Sequence, residues 1–154
     1  MQKHYLFVLV LTILGLTAAC ESLPFGQAAA TDVPFARFTA QDVFNSFSQA
    51  GLQVDSVTRD MLIGRDAPGG FSDRYVFEIP RVAPLGGQVL IFDTPAEMGE
   101  WLAFVETLRS NPDTRRDVIY VYPYANILLQ LNANLLPAEA NQFREAMVAL
   151  GSGT

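Results

Sequence analysis

The sequence predicts an α+β protein, a two-layer sandwich with three helices on one face of a mostly antiparallel sheet of four to five strands. Three observations predict it. The chain of 154 residues is 50% hydrophobic and only 17% charged, enough apolar material for one packed domain and too little length for two. Helical and strand-like segments follow one another in the order α, β, β, β, α, β, β, α, with short strands close enough to pair as antiparallel neighbours. The helix starts also carry capping residues at defined offsets.

Taken in order, Thr39 opens a first helix over Ala40–Ala50, with Asp42 placed to close a capping box. Val43, Phe44 and Phe47 form its apolar stripe, and Gly51-Leu52 suits a left-handed C-terminal cap. Val54–Arg59 reads as a strand and Arg65–Asp73, with Pro68-Gly69-Gly70, as a loop. Arg74–Ile79 and Gln88–Asp93 are strands separated by Pro80–Gly87. Thr94-Pro95-Ala96-Glu97 is the clearest local signal: an N-cap, a proline where its missing N–H costs nothing, and a glutamate that closes the box. The second helix carries Met98, Trp101, Leu102, Val105 and Leu108 and ends near Asn111-Pro112. Val118–Tyr124 and Asn126–Ala133 form a hairpin. Pro137 and Glu139 open a last helix that carries Phe143, Met147 and Leu150 and ends at Gly151.

Ahead of this domain, Lys3 is followed by the apolar run Tyr5–Ala19 and then by Cys20, the only cysteine. A membrane-crossing helix needs roughly 20 apolar residues, so residues 1–19 read as a secretory signal peptide. Leu16-Thr17-Ala18-Ala19-Cys20 resembles the lipobox of bacterial lipoproteins, with Thr17 where leucine is favoured. That resemblance implies a mature chain beginning at an acylated Cys20, with membrane lipid as its first partner, on the extracytoplasmic side of the cell envelope. Residues 20–38, with Pro24, Gly26, Ala28-Ala29-Ala30 and Pro34, read as a flexible tether, and 39–151 as the single globular domain.

Without the leader, nine arginines face sixteen acids, with no lysine and no histidine. Bulk charge of this sign argues against nucleic acid as a partner. Ser-His and Cys-His catalysis, lysine Schiff bases and His or Cys zinc sites are excluded in the mature chain. The reading that remains is a non-enzymatic binding or scaffolding module for an envelope protein or glycan, without cofactor or metal. The alternative is an envelope enzyme or inhibitor built on carboxylates and tyrosines.

Tyr120, Tyr122 and Tyr124 share one side of their strand. An even-numbered connection pairs them with Ile127, Leu129 and Leu131 and makes them core, the commoner use of an aromatic stripe. An odd one joins them to Asn126, Leu128, Gln130 and Asn132 in an open face of phenols and amides fit to hold a glycan or peptide. Arg115-Arg116 reads as solvated loop charge, Asp66 and Asp73 lack the ligand spacing of a calcium loop, and Gly86-Gly87 reads as a turn. Glu97 and Glu100 offer no acid–base pair.

A further resemblance rests on Gly86-Gly87 leading into Val89-Leu90-Ile91-Phe92-Asp93, the capped helix, Asn126-Ile127-Leu128-Leu129-Gln130-Leu131-Asn132 and the proline-opened last helix. Together these resemble a family of small uncharacterised bacterial lipoproteins, some labelled stress proteins. The resemblance implies the fold and the anchoring and supplies no catalytic residue.

Overall fold

The computed structural model describes residues 34–115 and 120–152. The leader, Cys20, most of the tether, Arg116 and the start of the Val118 strand lie outside the described residues. The elements are α1 (Ala40–Gln49), β1 (Asp55–Arg59), β2 (Phe71–Glu78), a 3-10 turn (Pro80–Val82), β3 (Gly86–Phe92), α2 (Pro95–Ser110), β4 (Tyr120–Tyr124), β5 (Ile127–Leu131) and α3 (Pro137–Ala149), with a final 3-10 turn at Leu150–Ser152. The five strands form one sheet in the order β1-β2-β3-β5-β4, and every neighbouring pair is antiparallel. The α+β class and the order of elements are those the sequence predicts. β2 starts earlier, at Phe71, inside the stretch read as loop.

Local chemistry explains the helix boundaries. Asp42 N–H donates to Thr39 Oγ1 (3.3 Å) while Thr39 N–H donates to Asp42 Oδ2 (2.8 Å), so two orphan donors of α1 are satisfied reciprocally. At the other end Gly51, at φ +74°, completes a Schellman motif. Leu52 N–H donates to Phe47 O (2.9 Å) and Gly51 N–H to Ser48 O (3.0 Å). Thr94 and Glu97 cap α2 in the same reciprocal way. Leu136, which has no side-chain acceptor, caps α3 by half that device: its N–H donates to Glu139 Oε2 at 2.8 Å.

The helices do not share one face. Val89, Ile91, Ile127, Leu129 and Leu131 pack with Phe77 against Val43 and Phe47 of α1 and Phe143 and Met147 of α3. Leu90, Phe92 and Leu128 point the other way and pack against Trp101 of α2. The predicted two-layer sandwich is therefore three layers, with α2 alone on the second face. The cause is in β3 and β5: Val89-Leu90-Ile91-Phe92 and Ile127-Leu128-Leu129 are apolar on both sides and buried at every position. Such runs need cover on both faces, and each fully buried large side chain contributes about 1.5–3 kcal/mol.

The free edges are blunted. β1 is exposed along its length, carries a register shift between Asp55 and Thr58, and has Ser56 at φ +51°. Pro123 interrupts the donors of β4. Gly86 and Gly87 open β3 rather than forming a turn. A Cβ on Gly86 would stand 2.0 Å from Phe77 O and one on Gly87 2.6 Å from Gln130 O, so only glycine fits between the strands.

Candidate functional site

The β4–β5 connection is the two residues Ala125 and Asn126, an even number, with Ala125 at φ +48°. Tyr120, Tyr122 and Tyr124 accordingly pair with Leu131, Leu129 and Ile127 and lie on the α1/α3 face, half-buried at the margin of the larger core. The Tyr120 hydroxyl donates to Leu135 O (2.9 Å), Tyr122 lies under the Arg144 guanidinium, and Tyr124 stacks on Phe38. Burial raises the Tyr122 phenol above its ordinary pKa, with Arg144 opposing and Tyr120 adding to the shift. The open face of three phenols and three amides does not form, because Gln130 projects from the opposite side of the sheet.

Asn126, another member of that set, is 2% exposed and acts as a clamp. Its Oδ1 accepts from the backbone N–H of Phe38 (3.0 Å) and Arg37 (3.3 Å), and its Nδ2 donates to Phe38 O (2.8 Å). Phe38 packs into the α1/α3 core and Phe35 into the α2-side cluster, so the last residues assigned to the tether belong to the fold. Arg115 is exposed. Asp73 pairs with Arg59 (2.6 Å), which raises the arginine's pKa, and Glu97 is occupied in its cap. Among the described residues no group of three or more His, Cys, Asp or Glu is placed to hold a metal ion, and no described helix is long and apolar enough to cross a membrane.

The side of the sheet that α2 covers holds the more informative arrangement. α2 shields Leu90, Phe92 and Leu128 but leaves a strip of polar side chains running across β2, β3 and β5. Arg74 Nε donates to Gln88 Oε1 (2.6 Å), and Gln88 Nε2 in turn donates to Gln130 Oε1. Arg74 also donates through Nη1 to the carbonyls of Asp60 (2.9 Å) and Leu62 (2.6 Å) and pairs with the Asp60 carboxylate at 3.1 Å. It thereby ties the 60–62 loop to the sheet, and its side chain is only 14% exposed.

The ladder has a direction. An arginine can only donate, so Gln88 must present its oxygen to Arg74 and its NH2 to Gln130, whose own NH2 is left at the far end. Among the described residues that nitrogen has no acceptor, and none of their buried side-chain N or O atoms lacks a partner, so it is open to solvent. The arginine thus sets the polarity of both amides.

Arg74, Gln88 and Gln130 form the polar floor of a hollow of about 230 Å³, walled by Leu62, Ile63 and Ala67 of the loop and by Trp101, Phe104, Val105 and Leu108 of α2. Trp101, 4% exposed, fixes one wall by donating Nε1–H to Gly69 O (3.1 Å). Gln88 and Gln130 also border a second hollow toward the end of the sheet, floored by Val76, Gly86 and Gly87 and rimmed by Asn132. Among the described residues no carboxylate lines either hollow. The first offers hydrogen-bond donors, amide acceptors and apolar contact, with no nucleophile.

Of the sequence candidates, Gln130 and Asn132 reach these hollows and Tyr120 borders the second, while Tyr122 and Tyr124 lie on the other face and Asn126 is spent on the clamp. Arg74 and Gln88 are the members that sequence reasoning missed. The available signal was a polar residue interrupting each apolar strand, as Gln130 interrupts Ile127–Leu131, but only the cross-strand register brings Gln88 opposite Gln130.

The geometry thus defines an α+β domain whose antiparallel sheet, apart from the exposed edge strand β1, is covered by α1 and α3 on one side and partly by α2 on the other, with an amide-floored groove in the gap. The chain matches no protein-family model, no curated protein and no solved structure.

Proposed function

We propose that the protein is an exported, lipid-anchored envelope lipoprotein whose globular domain binds or scaffolds another envelope component without catalysing a reaction on it. The observation that carries the binding reading is the polarised Arg74–Gln88–Gln130 ladder, which ends in a solvent-open amide on the floor of a partly apolar hollow. Pre-set donors beside apolar walls are what a recognition site requires. Anchoring is supported by Lys3, the apolar run to Ala19 and Cys20. Several acyl chains on one cysteine would hold the protein stably, since each buried methylene contributes about 0.8 kcal/mol. The Asn126 clamp suits such an arrangement. It fastens the incoming chain at the start of β5, and Gln130 stands four residues further along the strand, roughly 13 Å away.

The test is mass spectrometry of the membrane-extracted protein together with what co-purifies after mild crosslinking. Diacylated or triacylated Cys20 with a consistent envelope component is the expected result. Cys20→Ala should then move the protein out of the detergent phase. An unmodified cysteine and unchanged partition would overturn the anchor, and a partner-free chain would overturn the binding module.

A further inference from the structure

We propose that the hollow beneath α2 is a recognition site for a neutral amide flanked by a small apolar group, with the ligand's amide oxygen accepting from the Gln130 NH2. This deepens the binding reading above and rests on the groove being the binding surface.

Three observations select the ligand chemistry. First, the free end of the ladder is a donor, which calls for an oxygen acceptor on the ligand. Its orientation is imposed by Arg74 rather than free to flip, so the site is set before a ligand arrives.

Second, the acceptor should be neutral. Arg74 is the one cation among the described residues lining this hollow, and its charge is already met by Asp60 at 3.1 Å and by two backbone carbonyls and Gln88. A carboxylate entering here would have to be desolvated against a compensated arginine, in a chain of net charge -6. A neutral carbonyl loses less on leaving water. An amide also carries an N–H that can return a hydrogen bond to the remaining lone pairs of the Gln88 and Gln130 oxygens.

Third, the walls set the size and polarity of the neighbouring group. Ile63, Phe104 and Leu108 are half-buried and converge on the polar floor, and Leu62 stands 83% exposed at the rim. A volume of about 230 Å³ falls below the roughly 300–1,000 Å³ of pockets that take drug-sized ligands. It accommodates one amide with a short branched apolar substituent.

The chain supplies its own reporter. Trp101 is the only tryptophan and lines this hollow, so its fluorescence responds to occupancy. The experiment titrates the full chain in lipid nanodiscs with 4-methylpentanamide and, separately, with 4-methylpentanoate, which has the same branched group on an anion. The amide should perturb Trp101 saturably and bind at least about tenfold more tightly than the carboxylate. Gln130→Leu, which keeps the bulk and removes the donor, should weaken the amide by about tenfold, the effect of one good hydrogen bond. Leu108→Arg, which fills the apolar wall, should abolish the response.

Tighter binding of the carboxylate, or amide binding that both variants leave unchanged, would overturn the proposal. Neither probe binding would overturn it too. A photoreactive residue at position 104 then separates the two levels: if it still captures an envelope component, the groove binds something of other chemistry, and if it captures nothing, the binding reading fails as well.

Discussion

The two faces of the sheet are built from the same strands and put to different use. On the α1/α3 face every inward position of β3 and β5 is apolar, and an aromatic cluster closes the layer, with Phe47 edge-on to Phe143 at 5.1 Å and Phe44 edge-on to Phe77 at 5.6 Å. Its one buried polar side chain at the helix contact, Ser46, is spent on the Ala146 carbonyl at 2.5 Å. On the α2 face the apolar patch is Leu90, Phe92 and Leu128 with Trp101, and beyond it the floor turns to Arg74, Gln88 and Gln130. One face is a core whose buried side-chain polar groups, among the described residues, all have partners. The other ends in a donor that faces water, which is how a binding surface differs from a packing surface.

Changes to the apolar patches carry the largest expected effects. Trp101→Ala should cost about 3–5 kcal/mol, enough to threaten a domain of ordinary stability, and should lower the thermal midpoint sharply. A nearly silent melt would mean that α2 does not cover the sheet. Leu128→Ala and Leu129→Ala form a pair that points to opposite faces from adjacent positions. Each should cost about 2–5 kcal/mol in denaturant unfolding. If all helices lay on one face, Leu128→Ala would be close to neutral.

Asn126→Ala leaves the backbone groups of Arg37 and Phe38 without their partner and should cost about 1–3 kcal/mol. Hydrogen exchange at the Phe38 amide should rise well before that of β5. Tyr122 gives the smallest effect, and its sign is fixed. Its pKa is raised in the folded state, mainly by burial. The neutral phenol is therefore favoured on folding: this term is constant below the ordinary tyrosine range and becomes destabilising as pH rises through it. Tyr122→Phe should flatten the alkaline loss of stability while leaving the neutral-pH melt nearly unchanged in slope.

Much of the fold was legible because the signals are local. Thr39 with Asp42, Thr94 with Glu97 and Gly51 after Ala50 each announce a boundary within a few residues. The distribution of helices between faces was harder to read. Amphipathic helices suggest that each has a side to bury, but which side of the sheet receives it depends on connection geometry. The uninterrupted Val89–Phe92 and Ile127–Leu129 runs were the overlooked clue.

The tyrosine register hung on a turn made of Ala125 and Asn126. Alanine at φ +48° is not a residue that marks a turn, so the parity of the connection stayed open until the backbone fixed it. For the site, Gln130 and Asn132 were recognisable as polar interruptions of an apolar strand. Arg74 and Gln88 were not, because their roles arise from alignment between strands 14 residues apart in sequence.

The measurement that bears most directly on the central claim, that the α2 face is the binding face, is photocrosslinking in the cell envelope from paired positions. One reporter replaces Phe104 beside the groove, and its control replaces exposed Arg144 on the opposite face. A discrete adduct is expected from position 104 that Gln130→Leu diminishes, and none from position 144. Equal adducts from both positions, or adducts from 144 alone, would contradict the claim.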